Sequence, residues 1–283
     1  MDQPEKSGRP LILSASRRTD LPGFHAETCA ARIRGRVARS RTRPLYGVVF
    51  WTRHLAPFLR GGALHDLVRL ELANPIVNLT ITGLGGGRLE PATPSVDAAI
   101  DALPALVDAF HDEPWRVRWR FDPILAGHSR LEDFARIAAA MSGLGVNTCT
   151  FSFPSYRSLK GDLAPQFEAA GIPRWREEEK PAFVRSMVEI ARPLGIALLS
   201  CAQPDNLSLS PYVQPAQCVP ADVLAHGHPH GEPCTLGRDR SQRTHCLCVE
   251  SEEIGRYDDV CLGGCAYCYS KASAFARQST ITP

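Results

Sequence analysis

Residues 129–153 read SRLEDFARIAAAMSGLGVNTCTFSF, and this run decides the class of fold. Ser129 to Ser142 is a helical candidate, with a serine placed to cap it, an amphipathic body and Gly143 just beyond its end. Thr148 to Phe153, rich in Thr and Phe, reads as a strand. The same alternation continues in both directions. Leu11 to Ala15, Gly47 to Trp51, Ile76 to Thr82, Val117 to Phe121 and Ile196 to Cys201 are strand-like. Pro22 to Gly35, Leu55 to Leu72, Ser95 to Phe110 and Pro181 to Leu194 are helical candidates. Ser95 suits a cap, Gly195 a position past a helix end, and Pro181 a first helical position behind Glu177, Glu178 and Glu179. Six strands with helices after the first five predict an α/β fold with a parallel sheet, because parallel neighbours need crossover connections. At 283 residues the expected form is a single TIM-type or partial (β/α)6 barrel spanning residues 10–201. Residues 202–283, dominated by Pro, Gly, His and Cys, are expected as a cysteine-rich metal-binding segment packed on the barrel mouth. So few core residues need a metal to hold them.

Charge and targeting signals narrow the setting. The net charge is only +2, which selects no partner. No apolar run approaches the roughly 20 residues of a membrane helix, and Met1 to Arg9 lacks the apolar stretch of a secretory signal. A cytoplasmic location and no membrane partner are expected. Thiols stay reduced there, so ten cysteines point to metal binding rather than disulfides. Residues 1–60 carry twelve Lys and Arg against four Asp and Glu. Arg32, Arg34, Arg36, Arg39, Arg41 and Arg43 form a stretch that can grip phosphates or simply face solvent.

Chemistry in parallel α/β folds sits at the carboxyl ends of the strands. The first strand leads into Ser16, Arg17, Arg18, Thr19 and Asp20, and the second into Thr52, Arg53 and His54. The third leads through Thr82 into Gly83, Gly85, Gly86 and Gly87, then Glu90. The fourth ends in Arg120 and Asp122, the fifth in Ser152 and the sixth in Cys201. Polar groups recurring at one end of every strand mark a functional rim, although Arg120 with Asp122 also suits a structural ion pair. The glycine run either brings backbone N–H groups close to an anion or makes a turn. It fits no dinucleotide or triphosphate motif. His226, His228, His230 and His245 lie among the cysteines, as zinc ligands or loop residues.

The last quarter ends in CLGGCAYC, which sets Cys261, Cys265 and Cys268 at C-x3-C-x2-C spacing. Three thiolates so spaced suit a [4Fe-4S] cluster that keeps one iron open, whereas zinc ribbons use C-x2-C pairs. Cys201, Cys218, Cys246 and Cys248 remain, the number needed for a second [4Fe-4S] cluster or a structural zinc. Cys234 is a substitute for one of them. Cys29 and Cys149 read as buried thiols.

These residues carry a resemblance. The terminal motif, with Tyr267 before its last cysteine, resembles that of radical S-adenosylmethionine enzymes. The stretch from FWTR at Phe50 through LEP at Leu89 to RFDP at Arg120 looks like the spore photoproduct lyase-like branch. Over residues 10–270 the chain resembles a bacterial family of unknown function that shares SASRRTD near its start and this cysteine pattern. The radical enzymes place their triplet after the first strand; here it follows the sixth. A circular rearrangement is therefore implied, with the tail reaching the strand-end face.

The resemblance implies a [4Fe-4S] cluster, S-adenosyl-L-methionine, a 5'-deoxyadenosyl radical and an external electron donor. It puts Arg53 at the methionine carboxylate and Thr52, Thr82 and Glu90 at the methionyl and ribose groups. Arg17, Arg18, Asp20, Arg120 and Asp122 then face a small-molecule, peptide or nucleic-acid substrate. Two alternatives are a zinc-stabilised barrel hydrolase or lyase, and a non-catalytic nucleic-acid-binding protein using the arginine stretch.

Overall fold

The structure is a computed structural model that describes residues 8–40, 42–158, 161–256 and 258–268. The side chains of residues 157, 158, 161 and 162 are not described. Arg41, the first seven residues and the end of the cysteine-rich segment, 269–283, lie outside the described residues.

Eight strands form one sheet in which every pairing is parallel. They are β1 (Leu11–Ala15), β2 (Leu45–Thr52), β3 (Pro75–Thr80), β4 (Val117–Phe121), β5 (Thr148–Phe151), β6 (Ala197–Ser200), β7 (Val213–Pro215) and β8 (Glu252–Glu253). Their spatial order is β8-β1-β2-β3-β4-β5-β6-β7, and among the described residues no ladder joins the two edges. The helices are α1 (Leu21–Phe24), α2 (Ala26–Arg39), α3 (Val96–Ala109), α4 (Leu131–Gly143), α5 (Ala164–Ala169), α6 (Glu179–Ala191) and α7 (Ala221–His226).

Sequential order from β1 to β7 has a consequence. Right-handed crossovers that always step the same way leave their helices on one face of the sheet. Leu13, Phe50, Val77, Leu79, Trp119, Phe121 and Phe151 form that face, and α1 to α4 and α6 pack on it in one core. Trp119 stacks on Phe134 of α4 with ring centroids 5.1 Å apart. Side chains alternate along a strand, so the same strands turn Ser14, Trp51, Asn78, Arg118, Arg120 and Thr150 the other way. Residues 216–249 cover that second face, bringing Cys218, Val219, Leu224, Leu236 and Val249 against Ile12, Val49 and Ile76. The cysteine-rich segment thus covers a whole sheet face and supplies both edge strands.

Several sequence expectations are corrected. Pro22 to Gly35 is two helices, because His25, with φ −139° and ψ 46°, breaks the run. Leu55 to Leu72 is no regular α-helix. Pro57, Gly61 and Gly62 divide it into a 3-10 turn (Ala56–Phe58) and a π-helical turn (Leu67–Glu71). Ser95 does cap α3, accepting the Ala98 N–H at 3.2 Å. Ser129 instead accepts the Leu125 N–H at 2.8 Å, and Arg130 occupies the cap position of α4. Gly143 closes that helix from within, while Gly145, at φ +81°, makes the turn.

Candidate functional site

The carboxyl ends of β1 to β4 converge on a connected polar network. Asp20 organises its first part. One carboxylate oxygen accepts the Thr52 hydroxyl at 2.7 Å and caps α1 through the Gly23 N–H at 2.8 Å; the other accepts the Arg53 N–H at 2.8 Å. Arg53, the first residue past β2, pairs with Glu90 at 2.8 Å. Thr82 donates to the same Glu90 oxygen at 2.7 Å, and Tyr267 donates its phenolic hydrogen there too. Glu90 is only 2% exposed, so the network is largely removed from water. Burial opposes the Arg53 charge most strongly, but Glu90, Tyr267, Cys265 and Asp20 together outweigh it and hold the guanidinium firmly protonated. Burial likewise pushes the Tyr267 phenol well up, so it stays a donor.

The glycine run resolves as a turn. The Gly86 N–H donates to the Glu90 carbonyl at 3.0 Å and the Gly87 N–H to that of Leu84 at 3.2 Å, which consumes donors an anion would need. A side chain at Gly85 would lie 1.9 Å from the Pro94 carbonyl oxygen. The loop's work is to deliver Glu90.

The terminal motif docks onto this network. Thr19 donates to the Asp259 carbonyl at 3.1 Å, the His25 ring meets the Val260 carbonyl at 2.7 Å, and Arg32 grips the Asp259 carboxylate at 2.6 and 2.7 Å. Further on, the Ala266 N–H donates to the Leu89 carbonyl at 3.0 Å. The Gln166 amide of α5 donates to the carbonyls of Ala266 and Cys268, each at 2.9 Å. Cys265 therefore lies where Arg53 and Glu90 act on its charge, with burial pushing its thiol up to about 12. Gly263 sits between two of the sulfurs: a side chain there would lie 3.5 Å from Cys261 Sγ and 3.6 Å from Cys265 Sγ. Its bareness leaves space beside both. Among the described residues, no three or more His, Cys, Asp or Glu side chains already stand as a group able to hold a metal ion.

A second part of the rim lies around Trp51. Its indole N–H donates to Ser14 Oγ at 3.1 Å, and its ring has the Arg17 and Arg120 guanidiniums 5.6 and 5.2 Å from its centroid. Arg17 pairs with Asp239 at 3.4 Å, and its backbone N–H donates to Glu253 at 3.1 Å. Arg120 pairs with Asp122, which also accepts the Ser152 hydroxyl. Arg18 is exposed beside them. Asp239 and Glu253 have no motif to announce them, and they become site residues only because the tail returns to β1. Trp51 is marked only by its place in FWTR.

The four other cysteines also come together. Cys201 Sγ lies 4.0 Å from Cys218 Sγ, and Cys248 Sγ accepts the Cys218 N–H at 3.2 Å. Cys29 and Cys149 are fully buried in the helix-side core. Two of the histidines have aromatic neighbours, His226 on Trp115 and His228 stacked on Tyr46. Four arginines of the described part of the arginine stretch are paired with carboxylates. Arg32 pairs with Asp259, Arg34 with Glu71, and Arg36 and Arg43 with Glu252.

Residues 12–270 match the family model described as a domain of unknown function, DUF1848. The chain belongs to that family. Residues 12–270 take in the strand-end network and the terminal cysteines, so both lie within the DUF1848 region. No curated protein matches. Among solved structures, the carboxyl transferase domain of Rhizobium etli pyruvate carboxylase is similar at 12% identity. That match covers 68% of this chain and 39% of the other, with a TM-score of 0.23, too slight a likeness to bear on activity. No helix among the described residues is long and apolar enough to cross a membrane.

Proposed function

We propose that this DUF1848 protein is a radical S-adenosylmethionine enzyme built on a partial barrel, with its [4Fe-4S] cluster held by the tail. The observation that carries the reading is the docking of Tyr267, inside the C-x3-C-x2-C motif, onto the Arg53–Glu90 pair at the strand ends. A tail displaced by circular rearrangement would have to reach this rim to be of use, and the Tyr267–Glu90 contact supports that reading. Gly263 keeps its own side chain out of the space between Cys261 Sγ and Cys265 Sγ. Cys261, Cys265 and Cys268 would hold the cluster. When bound, such a cluster and S-adenosylmethionine supply one-electron cleavage of a carbon–sulfur bond and a carbon radical for hydrogen abstraction.

The chain's own residues divide the remaining work. Arg53 presents a permanent cation for a carboxylate, which would replace the long 3.4 Å bond from its Nη2 to the Asp122 carbonyl. Thr82 and Glu90 hold that guanidinium in place. Asp20 and Thr52 act as positioning residues, since their polar atoms are spent on the Arg53 backbone and on each other. The void inside the network is about 10 Å³, room for a single water, so a nucleoside-sized ligand lies above it on the rim. There the Trp51 ring, with Arg17, Arg18, Arg120 and Asp122 around it, faces the substrate. The pairing of Arg32, Arg34, Arg36 and Arg43 with carboxylates favours this rim over a phosphate-binding arginine stretch.

The test is purification without oxygen, iron and sulfide analysis, and reduction in the presence of S-adenosylmethionine. About four irons per chain, as the cluster requires, and release of 5'-deoxyadenosine are expected. Both should be lost in Cys261→Ala, Cys265→Ala and Cys268→Ala. A protein that takes up no iron, or forms 5'-deoxyadenosine equally well without Cys265, ends the proposal.

A further inference from the structure

A second set of thiols lies between the sheet and the tail, on the face away from the helices. Cys201 follows β6, Cys218 follows β7, and Cys246 and Cys248 stand on the segment that returns toward β8. Cys201 and Cys218 are 4.0 Å apart at sulfur. Cys218 meets Cys248 side chain to side chain, as Cys248 meets Cys246. Four thiolates about 2.3 Å from one tetrahedral ion stand about 3.8 Å from one another. Thiolates on separate irons of a cluster are spread more widely. The Cys201–Cys218 separation of 4.0 Å is close to that of two ligands on a single ion.

Charge points the same way. β4 aims Arg118 and Arg120 at this set, and both are more than nine-tenths buried. Among the described residues, one carboxylate, Asp122, pairs with them, on Arg120. Arg118 makes one long bond, from Nη2 to the Gln217 carbonyl at 3.4 Å, and its buried Nε has no partner. Arg120 Nη1 lies 2.7 Å from Cys218 Sγ, and Arg243 Nη2 lies 3.5 Å from Cys201 Sγ. Cys248 Sγ is reached by two backbone N–H groups, those of Cys218 at 3.2 Å and Val219 at 3.4 Å. Donors crowd these sulfurs, as they do around thiolates in metal sites. With neutral thiols, Arg118 has no paired carboxylate and only the more distant charge of Asp222, whereas four thiolates on a divalent ion carry two negative charges beside it.

We propose that Cys201, Cys218, Cys246 and Cys248 bind one zinc ion as a tetrathiolate, independently of the Cys261–Cys268 triplet. Binding replaces four S–H bonds with four S–Zn bonds and releases four protons to solvent. Among the described residues the thiols do not enclose a common point, so closing the site requires side-chain rotation. The ion pins residues 216–248 of the tail to the ends of β6 and β7, while the triplet is held at the rim by its own contacts with Glu90 and Leu89.

The test uses the full chain, purified without oxygen, with zinc and iron measured on one sample and the zinc absorption edge recorded. One zinc per chain with four sulfur neighbours at about 2.3 Å is expected. Cys201→Ser and Cys248→Ser should lose it, while Cys261→Ser and Cys268→Ser keep it and lose iron instead. If the first two variants fail to fold, cobalt supplied to the wild-type chain decides. Tetrahedral thiolate–cobalt bands uphold the site, and their absence overturns it. Zinc far below one equivalent, zinc bound through nitrogen or oxygen, or iron lost along with Cys201 overturns it equally.

Discussion

Tyr267, near the end of the described chain, donates its phenolic hydrogen to Glu90, which lies 177 residues earlier and is 2% exposed. Glu90 also holds Arg53 and Thr82, so one carboxylate ties the tail, the loop after β3 and the end of β2 together. Removing it leaves a guanidinium in a poorly hydrated place. Glu90→Ala is therefore expected to lower stability by about 3 kcal/mol, the scale for breaking a buried pair. Tyr267→Phe removes one hydrogen bond and should cost about 1 kcal/mol. Urea unfolding midpoints measure both; an unchanged midpoint for Glu90→Ala would show that Arg53 does not depend on it.

The loop that delivers Glu90 should be intolerant at a position with no chemistry. Gly85→Ala pushes a methyl into the Pro94 carbonyl, so the backbone has to shift, at about 1–3 kcal/mol. Gly143→Ala, where nothing lies within 4 Å and the residue is helical, should be neutral or slightly stabilising. Thermal melts of the pair compare them, and equal melting temperatures would refute the packing argument.

Edge strand β8 is held by charge. Arg36 on α2 grips Glu252 and lowers its carboxyl pKa below the ordinary glutamate value of about 4.3. A lowered carboxyl pKa adds stability that is full above the unfolded value and is lost as pH falls through the folded one. Glu252→Gln should thus cost about 0.5 kcal/mol at pH 7, since the pair is partly exposed. Wild type and variant should converge in acid. A gap that persists at pH 2 would assign the effect to packing instead.

Cys29 and Cys149 are fully buried in the helix-side core, and burial raises both thiols far above their usual range. Neither should react with iodoacetamide in the folded protein, and both should react in urea. Mass spectrometry of the digested chain reads the difference; labelling of native Cys149 would mean that β5 opens readily.

Legibility followed the source of each signal. Leu11–Ala15 and Val117–Phe121 have the bounds their composition predicts, because β-branched and aromatic side chains declare a strand locally. The α/β class and the parallel sheet followed from the same signal. Val213–Pro215 and Glu252–Glu253 carry no such mark. They are strands because β6 and β1 offer them open edges, which is a property of the assembled sheet. Leu55 to Leu72 failed for the opposite reason, as an apolar run overruled by Pro57, Gly61 and Gly62. At the rim, Arg53 and Glu90 were legible as polar residues just past strands. Trp51 sat in plain sight as a strand residue, and its place between Arg17 and Arg120 depends on partners far off in sequence.

Because β7 and β8 are the margins of the sheet and residues 216–249 roof the side opposite α1 to α4 and α6, the cysteine-rich stretch is no appendage that can be trimmed away. A shortened chain ending at Cys201 would expose two bare strand edges and an apolar surface at once. Its expected fate is self-association through those edges rather than life as a smaller domain.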